Sequence, residues 1–305
     1  EAHEKYPDKP MIAVFMGGNS MVYPRIVLTE GRIPVFDFPR RAVNALAELY
    51  HYTVRRDSLK DEAIPRFKAD TEKVSSIIEK VREDGRRVLL GSEAHTIAEA
   101  YGISVARIRL ATSSEEAKGI AEDLGFPVVL KIASPDIVHK SDIGGIRVGL
   151  KTPEEVEAAF RQILDNAKTH RPKAIIYGVD VQEMAEQGKE LIVGCSRDVQ
   201  FGPLIMFGAG GIFVNYLKDV AFRLAPMTRT DAEELIEETK IGTLLKGVRG
   251  EPPSDLKALH DTILKISQLV TDFEEIVELD INPLFGYEKG KGICAVDVKI
   301  TIGKG

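Results

Sequence analysis

The sequence of 305 residues contains no tryptophan, only two cysteines and no surplus of basic side chains. Lys and Arg total 41 against 47 Asp and Glu, so the formal net charge is −6. This balance disfavours a nucleic-acid binder, which needs excess cations to displace the counterions of the phosphate backbone. No apolar run approaches the roughly 20 residues that cross a bilayer, and no secretory signal begins the chain. We therefore expect a cytoplasmic protein without a nucleic-acid or membrane partner.

The two cysteines have no spacing that would suit a metal site. A long chain with so few thiols is typical of a reducing compartment, so we predict that Cys195 and Cys294 are reduced core residues and not a disulfide. With 44% hydrophobic and 29% charged residues, the composition is that of a globular protein with room for two or three domains.

The order of strand and helix patterns divides the chain into four parts. Residues 1–57 alternate between strand and helix patterns, which predicts a small parallel α/β sheet. Residues 58–85 are highly charged and predict a connector with a surface helix. Two α+β lobes are predicted at 86–170 and 171–305, the second ending in a β-hairpin. Two such lobes joined by a strand suit a nucleotide held between them.

The segment 127–150, PVVLKIASPDIVHKSDIGGIRVGL, carries the clearest chemistry. An apolar strand pattern contains Lys131, a polar loop follows with His139, and the pair Gly144-Gly145 ends the loop. Phosphoryl transfer needs a cation for the phosphate charge, a nucleophile and a close approach of the backbone in one place. On residue types alone, Lys131 fits equally well an edge strand with one solvated face. A lone loop histidine is by itself most often only exposed to solvent.

The C-terminal hairpin pattern, ELDINPLFGYEKGKGICAVDVKI, contains three side chains with oxygen ligands. Asp280 and Asn282 are two residues apart and project from one face of a strand, and Asp297 lies on the adjacent strand. Such ligands suit Mg2+, which takes few protein oxygens and completes its octahedron with water and phosphate. Exposed acids on a plain hairpin are the alternative.

These segments resemble the ATP-grasp part of the NDP-forming acyl-CoA synthetases, the acetyl-CoA synthetase (ADP-forming) group related to succinyl-CoA synthetase. The likeness is most specific at 127–150, at 201–228, with FGAGGIFVNYLKDVAFRLAPMT, and at 278–298. The segment KPMIAVFMGG, at residues 9–18, resembles the end of the second CoA-ligase subdomain of that family. The resemblance implies an ATP-grasp fold preceded by a partial flavodoxin-like CoA-ligase subdomain at 1–57. We also expect the chain to be a fragment or a processed subunit of something larger.

The resemblance assigns roles in phosphate chemistry. It makes His139 a transient phosphate acceptor and Lys131 a ligand of the ATP phosphates. Gly144 and Gly145 are expected to bring the backbone close to the nucleotide. Asp280 is the candidate that orients the histidine or its phosphorylated form, because a carboxylate on the second ring nitrogen fixes the tautomer.

The resemblance also implies where the nucleotide base and the metal bind. The segment 179–194 resembles the interlobe strand of ATP-grasp enzymes, where the backbone near Glu183 and Met184 meets adenine. A carboxylate there serves the ribose, and Glu190 is a candidate for the ribose or for positioning the phosphate loop. Asn282 and Asp297 match the Mg2+ ligands of the family. Two half-buried strands, with both glutamates in water, are the alternative for 179–194.

The implied reaction joins acyl-CoA, ADP and phosphate to the free acid, CoA and ATP, with a histidine-borne phosphate moving between two sites. We expect this chain to bind ATP or ADP and Mg2+. CoA and a small carboxylic acid would need a CoA-binding domain or subunit outside the chain, in a hetero- or homo-oligomer. Two alternatives are a non-catalytic, synthetase-like regulatory module of a protein acetyltransferase and another ATP-grasp ligase that makes a free acyl phosphate.

Overall fold

The structure is a computed structural model, which describes residues 5–6, 8–59, 62–137, 139–211, 219–248 and 250–303. The chain divides into two compact units, Glu1–Ala63 and Ile64–Gly305. None of the described helices combines the length and the apolar character that a membrane span requires.

In the part of the chain that the structure describes, the first unit contains two short parallel strands, two α-helices and a 3-10 helix at Asn19–Met21. The strands and α-helices are β1 (Ala13–Val14), α1 (Val22–Glu30), β2 (Val35–Phe36) and α2 (Pro39–Leu59). Parallel strands need a crossover connection, and α1 supplies it. The alternation of strand and helix predicted for 1–57 is therefore present, while its assignment to a CoA-ligase-like subdomain stays a prediction.

The first half of the second unit contains four helices and a four-stranded antiparallel sheet. The helices are α3 (Thr71–Glu83), α4 (Gly91–Ala100), α5 (Ser114–Leu124) and α6 (Pro153–His170). The strands are β3 (Ile108–Ala111), β4 (Val128–Ala133), β5 (Ile146–Leu150) and β6 (Gly178–Glu183). They lie in the order β3-β6-β4-β5, so β6 and β4 are the two inner strands.

Among its described residues, the rest of the second unit forms a larger antiparallel sheet with three α-helices. Its strands are β7 (Lys189–Asp198), β8 (Gly202–Ala209), β9 (Val220–Leu224), β10 (Ile276–Gly286), β11 (Ile293–Ala295) and β12 (Val298–Ile302). Its helices are α7 (Arg229–Glu237), α8 (Lys240–Leu245) and α9 (Leu256–Asp272). The long strand β10 pairs with β7 along one edge, and with β12 and then β11 along the other. The predicted closing hairpin is thus part of this sheet.

Each of the two sheets in the second unit has its own hydrophobic core. The smaller core lies between the four-stranded sheet and helices α5 and α6, with Leu130 and Phe160 buried in it. The larger core gathers α3, α4 and the helices α7 to α9 against the six-stranded sheet, with Ile78 and Phe207 buried. Because helices and sheets each bury one apolar face, two separate cores define two lobes.

Two elements do not lie in the lobe to which the predicted boundaries assign them. Strand β6 pairs with β3 and β4, so it belongs to the smaller sheet, although the predicted division at residues 170 and 171 assigns it to the second lobe. Helix α4 packs in the larger core, although the predicted first lobe begins at residue 86. Both placements depend on contacts between segments that are distant in sequence.

Candidate functional site

Lys131 is a buried cation at the boundary between the two sheets. It lies on the inner strand β4, and only 8% of the residue is exposed. Its Nζ atom donates to the Asp297 Oδ1 atom and to the Val296 carbonyl oxygen, both at 3.3 Å. This position excludes the alternative of an edge strand with a solvated face. A buried ammonium needs anionic partners, and Asp297 supplies one.

Asp297 and Asn282 are neighbours where β10 leaves its pairing with β12. The Asn282 backbone N–H donates to the Asp297 carbonyl oxygen at 3.1 Å, and the Asn282 Oδ1 atom accepts from the Gly211 N–H at 3.3 Å. The Asp297 side chain is half exposed. Burial would raise the pKa of Asp297, but Lys131 and Lys140 outweigh that effect and hold the pKa below its usual value. Asp297 is thus an ionised carboxylate.

The loop that carries His139 lines a cavity together with Asp297. This cavity has a volume of about 190 Å³, and its walls include Gly91, His139, Lys140, Asp297 and Lys299. His139 is exposed and Lys140 is half-buried. The structure therefore brings the predicted phosphate acceptor and a predicted metal ligand to one cavity, and Lys131 contacts that metal ligand.

Asp280, the residue predicted to orient His139, lies on β10. It sits opposite Lys299 of β12 and is half-buried. Burial raises the pKa of Asp280, while the Lys299 ammonium group opposes the rise. Asp280 does not line the cavity that contains His139. Its predicted role in orienting the histidine stays a prediction.

Gly144 and Gly145 close the loop onto strand β4. The Gly144 N–H donates to the Ser141 carbonyl oxygen at 3.0 Å, and the Gly145 N–H donates to the Lys140 carbonyl oxygen at 2.8 Å. Gly144 has a φ of 65°, which favours glycine. A Cβ atom on Gly145 would lie 2.8 Å from the Ile132 side chain. Both N–H groups are thus used inside the loop, and contact with the nucleotide stays a prediction.

The predicted base-binding strand is held by protein contacts. The Glu183 carboxylate accepts from the Arg107 backbone N–H at 2.8 Å and from its Nε atom at 2.6 Å, so this glutamate is not free in water. The Met184 N–H donates to the Pro127 carbonyl oxygen at 3.2 Å. Glu190 is exposed and lines a separate cavity with Gly211, away from His139. The nucleotide contacts of these three residues stay predictions.

Three buried polar residues beside Lys131 were missed by the sequence analysis. The His95 Nδ1 atom lies 2.8 Å from the Gly91 carbonyl oxygen, and Gln182 donates to the Val296 carbonyl oxygen at 2.7 Å. Burial lowers the pKa of His95, although the contact with Gly91 raises it, so the ring is neutral. Asp180 is fully buried. Asp180 and Gln182 alternate with valines on β6, and that polar alternation was a signal available in the sequence.

The residues that would hold a divalent ion are few. Among the described residues, no group of three or more His, Cys, Asp and Glu side chains converges as a metal site. The pair of Asn282 and Asp297 therefore offers two protein oxygens, one of them a carboxylate that is ionised. This donor set fits Mg2+, which relies on water and phosphate for its other ligands.

The second unit has two lobes, each built on an antiparallel sheet. They meet at a buried lysine, an ionised aspartate and a loop with a histidine, and this arrangement is that of an ATP-grasp domain. The family model for the ATP-grasp domain matches residues 80–302. The chain is 44% identical to an acetate–CoA ligase [ADP-forming] I of Archaeoglobus fulgidus over 310 aligned residues, covering all of this chain and 44% of that protein. It is 46% identical to the acetate–CoA ligase [ADP-forming] I subunit beta of Pyrococcus furiosus, covering 75% of this chain and 98% of the subunit.

A solved structure agrees with these relatives. It is the dinucleotide forming acetyl-coenzyme A synthetase 1 of Ca. Korarchaeum cryptofilum with coenzyme A and Mg-AMPPCP, its phosphohistidine segment pointing towards the nucleotide binding site. The TM-score is 0.66 at 44% identity, over 75% of this chain and all of that chain. This protein belongs to the ADP-forming acetate–CoA ligase family, of which it contains the ATP-grasp part. The chain spans less than half of the length of the longer relative from Archaeoglobus fulgidus.

Proposed function

We propose that this chain is the nucleotide-binding and phosphohistidine-forming part of an ADP-forming acyl-CoA synthetase. The complete enzyme would interconvert acyl-CoA, ADP and phosphate with a free acid, CoA and ATP. The observation that carries the proposal is the shared cavity, where the loop with His139 meets Asp297 beside Lys131. In the Korarchaeum relative, a phosphohistidine segment points towards the nucleotide. The same arrangement in this chain would place His139 for phosphoryl transfer.

The proposed step transfers the γ-phosphoryl group of ATP to the ring of His139. An unprotonated ring nitrogen attacks the γ-phosphorus, an N–P bond forms, and the bond to the bridging oxygen breaks. ADP leaves with the bonding electron pair, and the other ring nitrogen keeps or releases its proton to water. Lys131, fixed by strand β4, is placed to exchange Asp297 for a phosphate oxygen and so to stabilise the developing charge.

Asn282 and Asp297 are the residues that would hold Mg2+. Asn282 lies on β10 and Asp297 in the link between β11 and β12, and Lys131 and Lys140 keep Asp297 ionised. A bound Mg2+ supplies charge neutralisation of the phosphate oxygens. Asp280 lies outside the cavity, so its proposed role with His139 requires the loop to move towards β10.

The base and ribose of the nucleotide are proposed to bind along the start of β7 and the end of β6. Backbone groups near Glu183 and Met184 would meet adenine, and Glu190 would serve the ribose or the phosphate loop. Arg107 already occupies the Glu183 carboxylate, so that side chain supports the strand before it contacts any ligand. Gly144 and Gly145 would contribute through the turn that they form.

The remaining chemistry is proposed to belong to a partner. One relative is named as a beta subunit, and a longer relative contains more than twice the length of this chain. A CoA-binding domain or subunit would bind CoA and the small carboxylic acid and would carry a second phosphohistidine. The assembled enzyme would work in the cytoplasm.

Incubation of the chain with γ-labelled ATP and Mg2+ tests the proposal. We expect an acid-labile, base-stable label that mass spectrometry assigns to His139. His139→Ala should abolish the label, whereas His170→Ala, at an exposed histidine of α6, should leave it unchanged. An unlabelled wild-type chain that still binds ATP would favour the regulatory module, and a label that survives His139→Ala would refute the histidine's role.

A further inference from the structure

Asp180 is a buried carboxylate without a hydrogen-bond partner. It lies on β6 opposite Lys131, its exposure is 0%, and neither of its carboxylate oxygens has a partner among the residues that the structure describes. The Ser92 hydroxyl is near enough to lower the pKa of Asp180, but the two groups do not have the geometry of a hydrogen bond. Leaving such a group unpaired costs free energy of folding. We therefore looked for a nearby cation that the Asp180 carboxylate could attract.

The carboxylate lies directly behind the wall of the histidine cavity. A Cβ atom added to Gly91 would stand only 2.7 Å from the Asp180 Oδ2 atom, so the bare backbone of Gly91 separates Asp180 from the cavity. Gly91 and Lys140 both line that cavity. Lys140 is therefore a cation at the same cavity, and it follows His139 directly in the loop.

Two lysines act on Asp180 from nearby, Lys140 of the loop and Lys131 of β4. Burial raises the pKa of Asp180 above its usual value, and Lys140 opposes the rise more than Lys131 does. Lys131 is already engaged by Asp297 and the Val296 carbonyl oxygen. In a site of low dielectric constant, a carboxylate attracts a cation across a cavity without direct contact.

Hydrogen bonds hold the loop at its two ends, and within it the Lys140 carbonyl oxygen accepts from the Gly145 N–H. The Ile175 N–H donates to the Asp136 carboxylate at 2.8 Å, and the Ile132 N–H donates to the Gly145 carbonyl oxygen at 2.8 Å. Between these anchors, His139 is exposed and Lys140 is half-buried. Attraction of Lys140 is thus a means of setting where the middle of the loop lies.

We propose that Asp180 is a positioning residue that holds the His139 loop at the cavity it shares with Asp297 by attracting Lys140. A phosphorylated His139 would present Lys140 with a nearer and more highly charged anion, while Asp180 would repel that phosphate. Phosphorylation would then weaken the hold and favour departure of the loop. This second step depends on the proposed function, whereas the attraction between Asp180 and Lys140 does not.

Hydrogen exchange of the unphosphorylated chain tests the attraction by itself. Asp180→Asn keeps the shape and removes the charge, so peptides that cover 134–145 should take up deuterium about tenfold faster than in the wild type. Asp165→Asn, at an exposed position of α6, is the matched control and should change nothing there. Unchanged exchange in Asp180→Asn would overturn the proposal, whether or not His139 is ever phosphorylated.

A double-mutant cycle tests the link to phosphoryl transfer. Asp180→Asn should slow labelling of His139 about tenfold, yet by less than twofold in a Lys140→Met background, because the partner is then already absent. The melting temperature of Asp180→Asn should equal or exceed that of the wild type, which separates positioning from a structural role. Additive effects of the two substitutions, or a lowered melting temperature that explains the slower labelling, would refute the pairing. A wild-type chain that takes no label contradicts the proposed function and leaves the exchange result to decide on the attraction.

Discussion

At the scale of single residues, the contact between Lys131 and Asp297 explains how a charged side chain persists on an inner strand. The ammonium group is almost fully buried, but it has a half-exposed carboxylate and a carbonyl oxygen as partners. A pair at such a boundary can exchange partners at little cost, since water solvates Asp297 when the lysine leaves it. The same geometry suits the arrival of a phosphate.

Lys131→Met should therefore impair phosphoryl transfer and not folding. We expect the rate of His139 labelling from ATP to fall by about 100-fold, as for the loss of one electrostatic stabiliser in an active site. The free energy of unfolding should stay within about 1 kcal/mol of the wild type, because the remaining carboxylate is half exposed. Lys151→Met, at an exposed lysine before α6, is the control and should label normally. Labelling of Lys131→Met within twofold of the wild type would contradict this role.

At the scale of elements, the loop between β4 and β5 is built as a return onto its own strand. The Gly145 carbonyl oxygen accepts from the Ile132 N–H and so joins the loop to β4, while the Gly145 N–H donates to the Lys140 carbonyl oxygen and closes the loop on itself. The strand beneath is buried along its whole length, which leaves no room for displacement. The position of His139 thus depends on the packing of one glycine.

Gly145→Ala should destabilise the chain and disturb the loop. The new methyl group would lie 2.8 Å from the Ile132 Cγ2 atom and 2.9 Å from the Lys140 carbonyl oxygen, and we expect a loss of about 1–3 kcal/mol in the free energy of unfolding. Gly119→Ala, inside α5 with open space around it, should instead stabilise by about 1 kcal/mol. Denaturant titration measures both changes, and equal effects of the two substitutions would refute this account of Gly145.

At the scale of the whole molecule, the chain consists of two compact units, Glu1–Ala63 and Ile64–Gly305. The longer relative covers the complete chain, whereas the beta subunit relative covers 75% of it and is itself matched almost entirely. The second unit, Ile64–Gly305, holds both hydrophobic cores of the ATP-grasp domain. A unit with its own cores is expected to fold by itself.

The fragment 64–305 should therefore fold and bind nucleotide without the first unit. We expect a cooperative thermal transition within a few degrees of the one that the full chain shows for this unit, and the same dissociation constant for Mg-ATP by calorimetry. A fragment that is unfolded or aggregated, while the full chain is monomeric and binds ATP, would show that the first unit is required.

The resemblance at 127–150, 201–228 and 278–298 predicted the family, and strand periodicity predicted the two lobes, because both are local signals. Residue types drew attention to Lys131, His139 and Asp297, and the resemblance gave them roles; the structure brings His139 and Asp297 to one cavity and Lys131 into contact with Asp297. Asp280 was predicted to orient the histidine, but it does not line the cavity that contains His139. Residue spacing shows which side chains share a strand face, but not which cavity that face borders.

Local pattern determined what the loop could do, and tertiary structure decided which groups surround it. Asp180 stands opposite Lys131 because β6 pairs with β4 in one particular register, across some 50 residues of sequence. Gly91 covers Asp180 because α4 belongs to the larger core and abuts the smaller sheet there. Strand register and helix docking are set by the packing of whole apolar faces, so no short segment of the sequence encodes them.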